Sequence, residues 1–586
     1  VTRRQQWLAG VALVVLTSLA FAPSLTSPFT HYDDPLYVWK NERMIPGGWE
    51  GLKLQWNAAA AWSGDFVEFF PLRDTVYWLI VQYVGVTSWA FHLVSLLFHL
   101  GTSLLLWRFF RQLTIPDPAA WLGALLFALH PVHIESVVWI AGLKDPMFSF
   151  FMVLGLVAYG SYREHPTPAK YALMLFGLVC GFLVKSFLIA MPIIMLAMEL
   201  WVGARAKWSL IAARLAGPFI ISGIFFAQIM GIGRANHVIV PPHGGTWLSH
   251  FVLLLWAQMK YLKQAFLPTS YRLIYCFDPP TGWTDYRLWV GLAVLSALAV
   301  LVWRWRKEPV KLVFVTLYVA PMLPVSNLVP FPAIMADRYL YAPSIGAMAL
   351  LAFYAAKLTS RMFRLVTVAV VVLLTTATAL RSWVWQDEEA LWEEPDLDPA
   401  CLVDTSFPAA QAHVLRYLTT KDRNEGLMAL ERAMVTPGIQ KVGIELICTT
   451  LIGAAREAQS LGGEARAITW AKFATRMCPN YASAWNVAMV VSLHKNHDLA
   501  ARAATRAWRL QKTPETEILM WLTLLELKDT RSVSNINRLA ETEDVGVCQK
   551  VVQYADDAPH LAPLLGEAVE RCAGPLKRFE AAQEKK

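Results

Sequence analysis

The chain has 586 residues, 56% of them hydrophobic and 16% charged, with a mean hydropathy of +0.40. Soluble chains run to roughly 45–50% apolar, so an ordinary soluble protein is excluded and an integral membrane protein is expected. The net charge of +8 is accounted for by Lys and Arg that hold loops in the cytosol. No nucleic-acid motif accompanies it, so no nucleic-acid partner is expected. The seven cysteines show neither CxxC nor Cys/His spacing, which argues against a zinc site. Apolar runs of about 18 or more residues fill the chain to Arg381 and stop there, which divides it into a membrane domain, 1–381, and a soluble domain, 382–586.

The first run, Trp7 to Phe21, follows Arg3 and Arg4 and ends Ala20-Phe21-Ala22, like a signal-peptide cleavage site. Pro23 directly after it would block the peptidase, so the run is expected to be the first span, with its N-terminus in the cytosol. Next comes "HYDDPLYV", whose Asp33 and Asp34 sit at a membrane surface; "DDP" is also a good turn sequence, and these residues alone leave turn and chemistry both open. "PLRDTVYWLIVQYVG" reads as an amphipathic helix on the outer surface, with Arg73 and Asp74 in water and Trp78 among headgroups. Basic clusters then recur: Arg108/Arg111, Arg163/Lys170, Arg205/Lys207/Arg214, Arg304/Arg306/Lys307/Lys311 and Lys357/Arg361/Arg364. Placed in the cytosol, they leave "LHPVHIESVVWIAGLKD", "LVKSF", "GRANHVIVPPHGG" and "SNLVPFPAIMADRYLY" on the opposite face. Spans number about 11, or about 12–13 if "WLSHFVLLLWAQMKYLKQAFLP" and a partner cross.

The last span, Leu365 to Leu380, delivers the soluble domain to that same outer side. There "NYASAWNVAMVVSLHKNHDLAARAATRAWRLQKTP" has the tetratricopeptide pattern: Trp485, small residues at Ala488 and Ala501 for a close helix crossing, and Pro514 roughly 34 residues after the start. Two looser repeats precede it, so a helical solenoid of about four or five units is expected, offering a concave surface to a peptide or protein. Cys448 and Cys478 fall on facing positions of an antiparallel helix pair, as do Cys548 and Cys572. Each pair should be close in space, as disulfides in an oxidising compartment or as buried thiols; Cys401 has no obvious mate.

The outer face also collects isolated cations beside apolar spans: Arg73, Lys144, Lys185, Arg234 and Arg338. Such residues are often snorkelling anchors, but anchors cluster on the cytosolic side, and these stand singly in polar motifs. They suit a lipid-linked phosphate. A sugar leaving a polyprenyl phosphate needs cations to stabilise the growing phosphate charge, and a carboxylate on the other side of the sugar to take the acceptor's proton.

The order "DDPLYV", "FPLRD", "FHLVSLLFHL", "ALHPVHIESVVWIAGLKD", "KSFLIAMPIIMLAMEL", "YLKQAFLPTSY", "LPVSNLVPFPAIMADRYLYAPSIG" and then tetratricopeptide helices resembles the transmembrane and tetratricopeptide-repeat O-mannosyltransferases and their bacterial relatives, of the GT-C class. The resemblance implies an all-α fold, a polytopic GT-C-type helix domain followed by a tetratricopeptide-like solenoid. It implies an inverting glycosyltransferase that moves a sugar from a polyprenyl-phosphate donor to Ser or Thr of a translocated protein held by the solenoid. By motif, Asp33 or Asp34 would be the base, with Asp33 aligned to the first acid of the class. Arg338, Lys144, Lys185 and Arg73 would meet the donor phosphate, with His130, His133, Glu135, Asp145 and Tyr339 around them. The chain departs from the family at "KSF", where "KES" is common, at "FPLRD", which lacks an arginine before the proline, and at Asp337, where Glu is usual. No metal is required by that scheme, though Asp33 and Asp34 would suit Mg or Mn. The site and solenoid are then expected in the periplasm of a bacterial inner membrane, or in the ER lumen. A glycan or lipid acceptor, a non-catalytic scaffold and a transporter are the other readings.

Overall fold

The computed structural model describes residues 2–391, except 31–32, 39–40, 58–68, 203–205, 236–240, 270, 274, 276, 278–279, 331–332 and 388–390. Beyond these it describes Cys448 and most of 451–583. The chain divides into two compact units, Val1–Ala412 and His413–Lys586. Among the described residues both are built of helices, without strands.

Among the described residues of the first unit, six helices are long and apolar enough to cross a membrane: Arg3–Thr26, Ser88–Gln112, Ile140–Glu164, Trp208–Ile232, Tyr286–Lys307 and Ser360–Val384. A bent pair, Asp117–Ala128 and Pro131–Val138, meets at 44° and would make a seventh. The other expected spans are shorter apolar helices, Pro168–Phe182, Leu188–Trp201, Pro309–Val325 and Ser344–Ala355. The count from composition is therefore larger than the count of full-length spans, because turns and prolines divide the apolar runs. The break in the bent pair has a local cause: the residue before proline is pushed out of the helical region, and His130 accordingly sits at φ −74°, ψ 121° before Pro131. Trp247–Phe266 is 20 residues long but amphipathic, burying Val252, Leu253, Ala257 and Tyr261 together with His250 and Gln264.

Small residues let these helices approach closely, as membrane packing requires. A β-carbon at Gly177 would fall 2.7 Å from the Phe151 carbonyl oxygen and 2.9 Å from the Gly155 Cα. Pro168–Phe182 thereby lies backbone to backbone against the helix Lys144–Glu164. That 21-residue helix, about 30 Å long, separates two buried polar clusters. At its C-terminal end Glu199 accepts from the Tyr159 hydroxyl (2.7 Å) and Arg214 (3.0 Å) and pairs with Arg163 (3.3 Å). Gln112, beside Arg108 and Arg111, donates to Ser161 Oγ there (3.0 Å). Three of the basic clusters thus gather at one end of the helix, and the candidate site forms at the other.

The second unit contains the described helices Glu464–Met477, Ala482–Ser492, His497–Leu510, Pro514–Glu526, Ser532–Ala540, Val545–Asp557 and Ala562–Gln583. His497–Leu510 turns Ala500, Ala503, Ala504 and Ala507 inward, while Ala501 stays half-exposed; on this helix the close crossing runs through Ala500 and Ala503, not through the Ala501 that the repeat pattern named. Pro514 opens the next helix, with the Thr513 hydroxyl accepting from the Thr516 N–H (3.3 Å). Cys448–Cys478 and Cys548–Cys572 are disulfides, with Cα–Cα separations of 5.9 and 5.0 Å. Cys401 and the first loose repeat, 409–438, lie outside the described residues.

Candidate functional site

The stretch 135–145 is the hub of the site. Two short turns bracket it: Pro131–His133 leads into Ile134–Val138, and Ile140–Leu143 leads into the long helix beginning at Lys144. The chain folds so tightly here that a β-carbon at Gly142 would lie 2.7 Å from the Glu135 carbonyl oxygen and 3.1 Å from that of Ser136, so position 142 accepts no side chain without moving backbone. Glu135, Trp139, Lys144 and Asp145 are thereby brought together from one short segment.

Each member meets a residue from elsewhere in the sequence. Glu135 Oε2 accepts the Arg338 backbone N–H (2.8 Å), and its Oε1 forms an ion pair with the Arg338 guanidinium. That guanidinium lies over the rings of Trp139 (5.1 Å) and Tyr339 (5.0 Å). The Trp139 indole N–H donates to Thr30 Oγ1 (3.1 Å), and Thr30 in turn donates to Asp34 Oδ2 through its hydroxyl (3.0 Å) and its N–H (2.8 Å). The Ala141 N–H donates to the other oxygen, Asp34 Oδ1 (3.0 Å). The Tyr77 hydroxyl donates to the Ile140 carbonyl (2.7 Å). Lys144, half-buried, has its ammonium 5.8 Å from the Tyr37 ring, whose centroid also lies 4.7 Å from the Arg73 guanidinium. Asp145 pairs with Lys185, whose ammonium sits 5.7 Å from both the Phe148 and Tyr339 rings, and Asp145 Oδ2 is buried without a hydrogen-bond partner.

Asp33 and Asp34 are adjacent but unlike. Asp34 is 1% exposed and accepts three hydrogen bonds, so it ties the loop after the first span to the hub. Burial pushes its carboxyl up to about 7, against the hydrogen bonds from Thr30 and Ala141, which favour the ionised form. Asp33 is half-buried and makes no capping bond to the short helix Asp34–Tyr37. Among the described residues no three His, Cys, Asp or Glu side chains converge as a metal set. With the Asp34 oxygens already taken, the acid pair does not fit a divalent ion, and no chemistry is assigned to one.

Two expectations change. Arg73 and Asp74 are not in water: each is 2% exposed, and Trp78 is 4% exposed with its indole N–H on the Pro46 carbonyl (2.8 Å). The segment 41–57 folds over the polar side of the helix Pro71–Tyr83, with Arg43 bonded to Asp74 (3.2 Å) and Gln82 to the Met44 carbonyl (2.7 Å). Arg73 itself is paired with Asp74 at 2.7 Å. The histidines serve the helix break. His130 Nδ1 accepts the Val132 N–H (3.3 Å), while the His133 nitrogens meet the Phe127 carbonyl (2.8 Å) and Ser344 Oγ (2.9 Å). The Arg234 side chain lies outside the described residues.

Sequence reasoning passed over Thr30, Tyr37, Trp139 and Arg43, and treated Asp337 only as a departure from the family. Asp337 accepts from the Tyr275 hydroxyl (2.7 Å), Gln264 (3.1 Å) and the Arg272 N–H (3.3 Å), anchoring the residue next to Arg338. Tyr37 and Trp139 lie inside the motifs already singled out; nothing local marks Thr30 or Arg43. On the flank of Trp247–Phe266 an apolar groove of about 340 Å³ opens between that helix, Tyr286–Arg304 and Pro309–Met322. The same helix touches the site, because Tyr261 accepts the Ala336 N–H (3.0 Å).

These features define an integral membrane protein with a buried hub of carboxylates, cations and aromatic rings at one end of its helices. Such groups are costly at membrane depth and mark function. In sequence, the chain is 24% identical to human protein O-mannosyl-transferase TMTC1 over 448 residues, 66% of this chain and 50% of that protein. It is 25% identical to human protein O-mannosyl-transferase TMTC4 over 375 residues, 52% of this chain and 49% of that protein. Mouse protein O-mannosyl-transferase TMTC2 is 30% identical over 131 residues, 22% of this chain and 16% of its own length. The chain spans half or less of the length of these relatives. They are relatives of the kind the motifs implied; all three are mammalian and lend no support to a bacterial source. No family model matches the chain, and no solved structure does.

Proposed function

We propose that the chain is a membrane glycosyltransferase that moves mannose from a polyprenyl phosphate to a Ser or Thr hydroxyl of a protein on the non-cytosolic side. The observation that carries this reading is the hub: one segment ties the acid pair to itself through Asp34 and Ala141 while presenting Lys144 and pairing with Arg338 and Lys185. The similarity to protein O-mannosyl-transferases supports the choice of sugar and of a protein acceptor. In the proposed step the acceptor oxygen bonds to the anomeric carbon from the face opposite the phosphate, its proton passes to Asp33, and the phosphate leaves with the electron pair of the broken bond. The anomeric centre inverts. Arg338, Lys144 and Lys185 stabilise the charge gathering on the leaving phosphate, and Asp34 holds the Asp33 loop in place. The apolar groove of about 340 Å³ suits an isoprenoid tail. Two disulfides in the second unit support an oxidising compartment, and the helical array is the surface offered to the acceptor.

The test is the transfer of mannose, read as mass added to secreted proteins and as mannose released from polyprenyl phosphate mannose. Asp33→Asn should lower turnover by about 10²–10⁴-fold, the usual worth of a general base, with donor KM little changed. Lys144→Ala should raise that KM. Full turnover by Asp33→Asn would remove Asp33 as the base.

A further inference from the structure

We infer that Trp139 is a positioning residue that sets the distance between the acid pair and the Arg338 guanidinium. Its two faces of chemistry point at the two halves of the hub. The indole N–H donates to Thr30 Oγ1 at 3.1 Å, and Thr30 donates twice to Asp34, the neighbour of Asp33. The indole ring carries the Arg338 guanidinium at 5.1 Å, a contact strengthened where water is excluded. Trp139 is 2% exposed, and its backbone is extended, φ −69° and ψ 125°, between the short helices Ile134–Val138 and Ile140–Leu143. Glu135, four residues earlier, holds Arg338 through both carboxylate oxygens, one on its backbone N–H and one on its guanidinium. A flat, rigid side chain with one polar edge and one π-face therefore spans from base loop to phosphate cation, where a flexible linkage would let the gap vary.

This rests on the glycosyl-transfer reading, in which the base and the phosphate cation flank the same sugar. A single displacement demands that these two groups act along one line, and a misplacement of about 1 Å costs about 10²-fold. Trp139 would thus act on turnover and not on donor affinity, as long as its ring still supports Arg338.

The experiment uses the full chain in lipid nanodiscs with polyprenyl phosphate mannose as the probe. Trp139→Phe keeps an aromatic face and loses the N–H; it should lower kcat by about 10- to 100-fold and leave KM within about twofold. Trp139→Leu loses both and should also raise KM. Thr30→Val should match Trp139→Phe in kcat, and the double variant should be no worse than either single. Additive losses, or wild-type kcat in Trp139→Phe while Asp33→Asn is inactive, would overturn the positioning role and leave the reaction standing. If the wild-type chain turns over no donor, the reaction fails instead. The thermal midpoints of the same cycle then still decide: non-additive shifts for Thr30→Val and Trp139→Phe support the coupling, and additive shifts overturn it.

Discussion

The two units handle charge in opposite ways. In the first, Arg338 and Glu135, Lys185 and Asp145, and Arg73 and Asp74 are paired where hardly any surface is exposed. In the second, pairs such as Arg538 with Glu517 and Arg571 with Glu567 stand in solvent, and the interior is apolar, with alanines and two disulfides at the close crossings. A buried ion pair is a poor way to gain stability, since desolvation offsets most of the attraction. Among the described residues of the second unit, every ion pair has at least one well-exposed partner. Buried pairs also hold Glu199 at the opposite end of the helix Lys144–Glu164, so what sets 135–145 apart is that two such pairs, Arg338 with Glu135 and Lys185 with Asp145, are tied to the acid pair through one short segment.

The contrast is broken most sharply by removing one partner of a buried pair. Glu135→Ala leaves the Arg338 guanidinium without its carboxylate and should destabilise the first unit by about 3–5 kcal/mol, measured by thermal unfolding in nanodiscs; Glu135→Gln, which can still accept from Arg338, should lose less. Equal losses would mean that the charge on Glu135 carries the whole effect and that the hydrogen bonding Gln retains counts for nothing.

A pH titration tests the neighbouring tie. With the Asp34 carboxyl pushed up from 3.8 to about 7, the folded state holds the proton more tightly than the unfolded chain across that interval. Stability should fall as pH rises from about 4 to 7, with a slope approaching about 1.4 kcal/mol per pH unit. Turnover should move the other way and rise through about pH 7, because the ionised carboxylate accepts more strongly from Thr30 and Ala141 than the protonated acid does. Asp34→Asn should flatten both trends. A turnover profile unchanged by that substitution would separate Asp34 from the site.

Much of the architecture was legible locally. The apolar runs gave the membrane unit, whereas "LHPVH", read only as part of an outer-face stretch, holds an X-Pro step that disfavours helix for the residue before it and marks the bend. The repeat pattern put small residues at the crossing and placed Ala488 there correctly, but it named Ala501 where the inward seam is Ala500, Ala503, Ala504 and Ala507. What escaped was everything that depends on distant chain. Glu135 and Arg338 are 203 residues apart, and Thr30 and Trp139 are 109 apart, so neither pairing could be read locally, although Glu135 and Arg338 were each singled out by motif. Arg73 and Asp74 were misplaced for the same reason: the segment covering them, 41–57, has no local pattern that announces where it docks.

The disulfides give the next smaller effect. Each closes a loop of sequence separation 30 or 24, and a loop of that size is worth about 2–4 kcal/mol. Reductant should lower the unfolding temperature of the second unit and leave that of the first in place, which two-transition calorimetry would resolve. A matching fall in the first transition would show that the units unfold together.

The smallest effect is expected on the outer face of the array. Arg538 and Glu517 are joined at 2.6 Å, but the Arg538 side chain is 57% exposed. Pairs of this kind gain little Coulomb energy in water, lose side-chain entropy and are screened by salt. Arg538→Ala should leave the second transition unmoved within error and insensitive to ionic strength, where Glu135→Ala moves the first by many degrees. A clear loss at Arg538 would mean that this surface is covered in the working protein, and the contrast between a charged interior and a solvated exterior would then extend to an interface that the acceptor or another chain occupies.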